Sequence, residues 1–297
     1  MSIAKTKIDS GLVVTFIQKY FDDTVEAVEY VKGGESSQAY RFRSKGRNLI
    51  VRVNTSDESF KKDAYAFEHL SSPDLPIPEI LHIGEDKGYA FAVSTLAEGV
   101  TVKDVPPEEF PSLLPEIFSV LNAIHATDIS QNTGFGKWDT SGIGGHSSWK
   151  DFVLSVNMYI DSGKLFETTF LEKDVWNTAY GEMEQLTAFC PEERFLVHGD
   201  YGSDNLMTYG GKITGVLDWA ESLCGDFLYD VAWLSFWGKE KSESYEKPYR
   251  EKNIPNFKER MLCYKLRIGL GSLSFFAYSQ QKEKYDIAKE RLLKLLK

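Results

Sequence analysis

The stretch from Phe195 to Trp219 constrains the fold of this chain more than any other part of it. Short apolar runs in this stretch flank the dipeptide Gly210-Gly211, which is typical of a tight turn between antiparallel strands. The surrounding sequence, from Trp149 to the carboxyl terminus, instead has apolar residues at helical spacing. We therefore predict a β-hairpin set into a mainly helical region.

The first hundred residues follow a different pattern. Short β-prone runs are separated by glycine or charged turns, and one helical run, Phe60 to Leu70, lies among them. The β-prone runs are Val28 to Val31, Ala39 to Arg43, Leu49 to Val53, Glu79 to Ile83 and Tyr89 to Thr95. We predict an α+β protein with a small β-rich N-terminal lobe (residues 1–97) and a larger, mainly helical C-terminal lobe (residues 98–297).

The balance of charge limits the classes of partner. The chain has 34 Lys and Arg against 44 Asp and Glu, a formal net charge of −10. Nucleic acid and anionic membranes would be repelled, so we expect neither as a partner. A cationic small molecule suits this charge, although solubility alone also explains it. Three widely spaced cysteines and the absence of an apolar signal or spanning segment favour a reduced, cytoplasmic location.

Polar residues at both ends of the predicted hairpin indicate phosphoryl transfer. Asp200 and Asn205 have the D-x-x-x-x-N spacing of a kinase catalytic loop, and Asp218 follows the hairpin. Asp218 and the amide oxygen of Asn205 are hard ligands of the kind that Mg²⁺ prefers. A separate carboxylate must orient the acceptor hydroxyl and take its proton, which is the role we assign to Asp200.

The alternative is that these are ordinary turn residues, because Asp, Asn and Gly favour loops in general. The combination of His198-Gly199-Asp200, the spacing to Asn205, the hairpin and Asp218 favours catalysis. We expect His198, beside an apolar strand, to support the loop through hydrogen bonds rather than to shuttle protons.

Two segments of the N-terminal region could contact nucleotide phosphates. Gly33, Gly34, Ser36 and Ser37 lie between strand-like runs, where backbone N–H groups and hydroxyls could cover phosphates. A plain hairpin explains the glycine pair equally well. Arg52 lies in an apolar strand, and Asp63 on the following helix is its expected ion-pair partner. Glu68 is an alternative partner, and Lys61 or Lys62 could supply a further cation.

These motifs together resemble the aminoglycoside phosphotransferase family, and most of all its hygromycin B phosphotransferases. The family motifs are Gly33–Ser36, Pro76–Glu79, Leu121–Asp128, Val197–Asn205, Val216–Trp219 and Gly225–Ala232. The closer likeness lies in Thr133–Gly136, Gly142–Gly144, Ser148–Phe152 and Leu266–Leu270. The usual strand lysine is Arg52 here, the usual helix glutamate is Asp63, and the metal-binding triplet reads Asp-Trp-Ala instead of Asp-Phe-Gly.

The resemblance implies a two-lobed protein-kinase-like fold and transfer of phosphate from ATP or GTP to a hydroxyl of an aminoglycoside. It also implies Asp200 as the base and Asn205 and Asp218 as the magnesium ligands. A hinge that receives the purine would consist of Ser94, Thr95, Leu96 and Ala97. Asp226, from the Gly-Asp element, would support the catalytic loop without touching the substrate.

The residues that select the substrate are less defined by the sequence. Asp204, Glu221 and Asp230 lie near the motifs and could bind amines, but each could also be a helix cap or a structural carboxylate. Trp149, Tyr159 and Trp237 could line a sugar-binding wall, or pack in the core. A metabolic kinase for an amino alcohol or a sugar, and a non-catalytic nucleotide-binding module, remain alternative functions.

Overall fold

The computed structural model describes residues 8–20, 25–31, 37–160, 163–238 and 241–297. The chain forms two compact units, one of Met1–Ala123 with Ser203–Ala220 and the other of Ile124–Gly202 with Glu221–Lys297. The first unit extends past residue 97 and includes the predicted hairpin. The boundary at residue 97 between a nucleotide-binding lobe and a catalytic lobe stays a prediction. In the described residues, no helix has the length and apolar character needed to cross a membrane.

The elements follow the predicted α+β order. The strands are β1 (Glu26–Val31), β2 (Gln38–Ser44), β3 (Arg47–Asn54), β4 (Ile80–Asp86), β5 (Tyr89–Thr95), β6 (Val100–Thr101), β7 (Phe135–Trp138), β8 (Gly144–His146), β9 (Phe195–Val197), β10 (Leu206–Tyr209), β11 (Lys212–Val216) and β12 (Leu223–Gly225). The helices are α1 (Ser10–Tyr20), α2 (Glu58–Leu70), α3 (Phe110–Ala126), α4 (Trp149–Leu154), α5 (Lys164–Thr168), α6 (Lys173–Leu186), α7 (Leu228–Trp237), α8 (Ser242–Arg250), α9 (Phe257–Tyr278) and α10 (Lys282–Leu295).

An antiparallel sheet with strand order β1-β2-β3-β5-β4 forms the base of the first unit. Leu49, Val51 and Val53 alternate along β3 and are buried, as expected for a strand with one face in a core. Helix α1 covers this face, where Phe16 stacks on Phe91 with ring centroids 3.8 Å apart. On α2, Phe60 packs with Ala90 and Ala92 of β5. This packing fixes the position of α2 relative to Arg52 on β3.

The predicted hairpin is present in the first unit. Strands β10 and β11 pair through Tyr209 and Lys212, leaving a two-residue loop. Both loop glycines, Gly210 and Gly211, have positive φ angles of 58° and 78°, as in a type I′ turn. Strand β6 extends this sheet beside β10. The hairpin register thereby determines which residues face each other at its open end.

The second unit contains a sheet with strand order β8-β7-β12-β9 and the helices from α4 to α10. Trp149 is fully buried and donates its indole N–H to the Tyr264 hydroxyl at 2.9 Å. Trp149 therefore packs in the core rather than lining a sugar-binding wall. Trp237 is partly exposed beside Phe276. The side chain of Tyr159 lies outside the described residues.

Two glycines of the second unit provide a matched test of this packing. A Cβ at Gly225 would lie 2.0 Å from the ring of Trp149, whereas a Cβ at Gly181 on α6 meets nothing within 4 Å. We expect Gly225→Ala to lower the free energy of unfolding by about 1–3 kcal/mol, because the buried indole must shift. Gly181→Ala should raise it by about 0.5–1 kcal/mol, because alanine favours a helix. Chemical denaturation of both variants measures these changes, and an unchanged Gly225→Ala protein would contradict the packing described.

Candidate active site

The second unit carries the loop that contains Asp200. Strand β9 is largely buried and leads directly into His198-Gly199-Asp200. Gly199 has a φ of 77°, and a Cβ there would lie 2.4 Å from the carbonyl oxygen of Glu221. Glycine is therefore required at this position both for its backbone conformation and for the close approach of Glu221. The loop turns sharply at Gly199 and leaves Asp200 partly exposed.

The Asp230 carboxylate anchors this loop. It is completely buried on α7 and accepts hydrogen bonds from the N–H groups of His198 at 3.0 Å and Gly199 at 2.8 Å. The Nε2 atom of His125 lies 3.1 Å from the same carboxylate. A carboxylate enclosed in this way is not open to a substrate amine. The prediction of Asp230 as a substrate ligand is therefore corrected in favour of its alternative, a structural carboxylate.

His198 has the supporting position expected from the sequence. Its side chain is fully buried, and its Nδ1 atom accepts a hydrogen bond of 3.3 Å from the N–H of Asp200. The imidazole also meets the ring of Tyr201 edge to face. The buried imidazole of His198 therefore holds the backbone of the loop in place through this hydrogen bond.

Asp226 supports a different part of the unit than the resemblance implied. Both of its carboxylate oxygens bind Arg260 of α9, at 2.8 Å and 2.6 Å, and the hydroxyl of Tyr264 donates to the same group. Burial and the nearby Asp226 carboxylate raise the pKa of Tyr264 well above its ordinary value. Asp226 therefore ties the start of α7 to α9. The carboxylate that contacts the catalytic loop is Asp230, and the expectation for Asp226 is corrected accordingly.

The first unit brings Asn205 and Asp218 to the same end of the hairpin. Leu206 pairs with Val216, and just beyond this pair the N–H of Leu217 donates to the carbonyl of Asn205 at 2.8 Å. Asn205 and Asp218 are both partly buried, and Asp218 has a φ of 63°. In the described part of the chain, no three His, Cys, Asp or Glu side chains cluster as metal ligands.

An amide oxygen and a carboxylate oxygen nevertheless fit Mg²⁺ bound to a nucleotide. In such sites one or two protein groups hold the ion, and phosphates and waters complete its coordination. The hairpin thus brings the backbones of the two predicted metal ligands to the same end of the strand pair, and their role as ligands stays a prediction.

Arg52 and Asp63 form the expected ion pair, with Nη2 and Oδ2 separated by 2.6 Å. The other oxygen of Asp63 accepts the N–H of Trp219 at 2.8 Å, so this carboxylate links β3 to the segment after the hairpin. The alternative partner, Glu68, is exposed and lies near His69. Lys61 pairs with Asp57 at the surface. The ion pair therefore orients Arg52. Its partner Asp63 is buried, with only 6% of its side-chain surface exposed to solvent.

The predicted glycine-rich and hinge segments are only partly described. Gly33, Gly34 and Ser36 lie outside the described residues, while Ser37 directly precedes β2. In the hinge, Ser94 is buried within β5. Next to it, the N–H groups of Thr95 and Leu96 donate to Glu79 and Asn48.

A purine would therefore have to use other backbone groups of the hinge segment. A cavity of about 360 Å³ adjoins this segment within the first unit. It is bordered by Ile77, Pro78, Thr95, Leu96, Ala97, Glu98 and Thr214.

The two remaining substrate predictions concern exposed carboxylates. Asp204 pairs with Lys103 at 2.7 Å in the first unit, and Glu221 pairs with Lys137 in the second. Such exposed pairs contribute only about 0–1 kcal/mol and exchange readily with other cations. Both residues stay predicted contacts for substrate amines.

The amino-acid sequence matches a known family over most of its length. The sequence model of the phosphotransferase enzyme family matches residues 27–262. The hygromycin-B 4-O-kinase of Escherichia coli is 35% identical over 276 residues, which cover 91% of this chain and 80% of that protein.

Solved structures agree with this match. The crystal structure of a thermostable mutant of aminoglycoside phosphotransferase APH(4)-Ia, in a ternary complex with AMP-PNP and hygromycin B, superposes with a TM-score of 0.87. It is 33% identical and covers 95% of this chain and 97% of its own. The GDP complex of aminoglycoside 2'-phosphotransferase-IIIa shares the fold, with a TM-score of 0.70 at 14% identity over 97% and 99% of the two chains. The kinase-like fold is thereby confirmed, and the chain belongs to the phosphotransferase enzyme family.

Proposed function

We propose that this enzyme transfers the γ-phosphoryl group of ATP to a hydroxyl group of an aminoglycoside antibiotic and so inactivates it. Hygromycin B is the first acceptor to test. The observation that carries this proposal is the likeness, over nearly the whole chain, to a kinase named for hygromycin B. The net charge of −10 agrees with a polycationic acceptor.

The chemistry assigned to the residues follows from their groups and their supports. Asp200 would accept the proton of the acceptor hydroxyl, and its loop is held by the Asp230 carboxylate from within. Asn205 and Asp218 would hold Mg²⁺, which neutralises charge on the nucleotide phosphates when it is bound. Arg52, oriented by Asp63, would contact a phosphate. Rigid support matters because positioning supplies most of the catalysis in phosphoryl transfer.

The amino groups of the substrate would bind to carboxylates that can exchange a lysine partner for a substrate amine. Asp204 and Glu221 are the two predicted residues that remain exposed for this role. The same proposal includes two further predictions. The protein is located in the cytoplasm, and ATP, with GTP as the alternative, is the phosphoryl donor.

The acceptor can be identified directly. The purified protein is incubated with Mg²⁺, ATP or GTP, and a panel of aminoglycosides, choline and simple sugars, and mass spectrometry detects the acceptor that gains phosphate. We expect hygromycin B to gain one phosphate with ATP. Phosphorylation of choline or a sugar, with every aminoglycoside unmodified, would instead establish a metabolic kinase. Nucleotide binding without any transfer would indicate a non-catalytic module.

The role of Asp200 is tested by Asp200→Asn, which keeps the shape of the side chain and removes its basicity. We expect kcat to fall by about 10²–10⁴-fold, because general-base catalysis is lost. The Kd for nucleotide, measured by calorimetry, should stay within about threefold of wild type. Asp174→Asn is the matched control, since Asp174 is exposed on α6. An Asp200→Asn enzyme as active as this control would refute the assigned base.

A further inference from the structure

Two adjacent residues of α2 hold the backbone that follows Asp218. The carboxylate of Asp63 accepts the N–H of Trp219 at 2.8 Å, and the ammonium group of Lys62 donates to the carbonyl of Ala220 at 2.6 Å. All of these residues belong to the first unit. The Asp-Trp-Ala triplet is therefore held at two successive residues by side chains of one helix.

The conformation of Asp218 shows why such support is needed. Its φ of 63° lies in the left-handed region, which is unfavourable for a residue with a Cβ atom. Such a conformation persists where the surrounding contacts determine it. Trp219, the residue after Asp218, is fully buried and donates its indole N–H to the carbonyl of Val216 at 3.2 Å. This hydrogen bond fixes the position of Trp219. Together with the two α2 contacts, this bond sets the direction in which the Asp218 carboxylate leaves the backbone.

Lys62 is unusual for a lysine in its burial. Only 4% of its surface is exposed, and burial of an ammonium group is unfavourable unless polar partners compensate for lost hydration. An apolar residue would pack in the same place without this cost. Its neighbour Lys61 is exposed and pairs with Asp57 one helical turn away. The contact between Lys62 and Ala220 is thus a specific interaction rather than a result of a generally basic helix.

We propose that Lys62 is a positioning residue for Asp218, which holds the carboxylate in the orientation that binds nucleotide-bound Mg²⁺. This inference rests on the proposed function, in which Asp218 is a metal ligand. Lys62 acts through the backbone of the triplet and does not touch the nucleotide. Residues that orient metal ligands in this way typically change metal affinity by about 10–100-fold when they are replaced. Direct contact of Lys62 with phosphate is the competing interpretation, and the two differ in their dependence on Mg²⁺.

The test uses equilibrium binding of a non-hydrolysable ATP analogue, so that no acceptor is needed. Lys62→Met keeps the length and packing of the side chain and removes the donor. We expect the Mg²⁺ concentration that gives half-maximal strengthening of nucleotide binding to rise by about tenfold or more. The Kd measured in the absence of Mg²⁺ should stay within about twofold of wild type. Lys173→Met, at an exposed lysine of α6, is the control and should leave both quantities unchanged.

Other outcomes would overturn the inference. An equal loss of nucleotide affinity with and without Mg²⁺ would indicate a direct phosphate contact. A Mg²⁺ dependence identical to wild type would show that Lys62 is not needed for Asp218. If Lys62→Met does not fold, Lys62→Gln, which is polar but too short to reach Ala220, gives the same comparison. Wild-type protein that binds nucleotide without any effect of Mg²⁺ would instead contradict the proposed function itself.

Discussion

The hydrogen bond from the N–H of Leu217 to the carbonyl of Asn205 closes the open end of the hairpin, and the placement of the two predicted metal ligands depends on it. The turn glycines set the register of β10 and β11 next to the loop, and the pairing then shifts by one residue between Met207 and Thr208. The shifted register brings residues 205 and 217 opposite each other. Asp218 then follows in a left-handed conformation, and its neighbours reach α2. Through Asp63 the same helix orients Arg52. The hairpin and one helix thus organise both the predicted metal ligands and the predicted phosphate ligand.

Acidic residues have two distinct roles in this protein. Asp63, Asp226 and Asp230 are buried, and each binds backbone N–H groups or a guanidinium group. Removing such a carboxylate would leave buried donors without partners, which typically costs about 1–3 kcal/mol for each donor. Asp204 and Glu221 are exposed, and each pairs with a lysine at the surface. The net negative charge therefore overstates the number of carboxylates that a cationic substrate could reach.

Local patterns made much of this structure predictable. The hairpin follows from its glycine pair, and the pair of Arg52 with Asp63 follows from a strand and the next helix. The roles of Asp226 and Asp230 could not be separated, because the partner of Asp226 is Arg260, 34 residues away on α9. Both aspartates lie in one short motif with similar neighbours. The sequence predicts for Lys62 only that it could supply a cation to the nucleotide phosphates, because lysine is so rarely buried that no sequence pattern indicates its contact with Ala220.

The claim on which this account depends is that Asn205 and Asp218 together hold the divalent ion of the nucleotide. A crystal structure of the protein with a non-hydrolysable ATP analogue and Mn²⁺ tests it, because anomalous scattering identifies the position of the ion. The account predicts an ion bound through oxygen atoms of both side chains at about 2.1 Å, the distance typical of Mg²⁺ sites. An ion bound to the nucleotide phosphates through other protein groups, with residues 205 and 218 turned away, would contradict it.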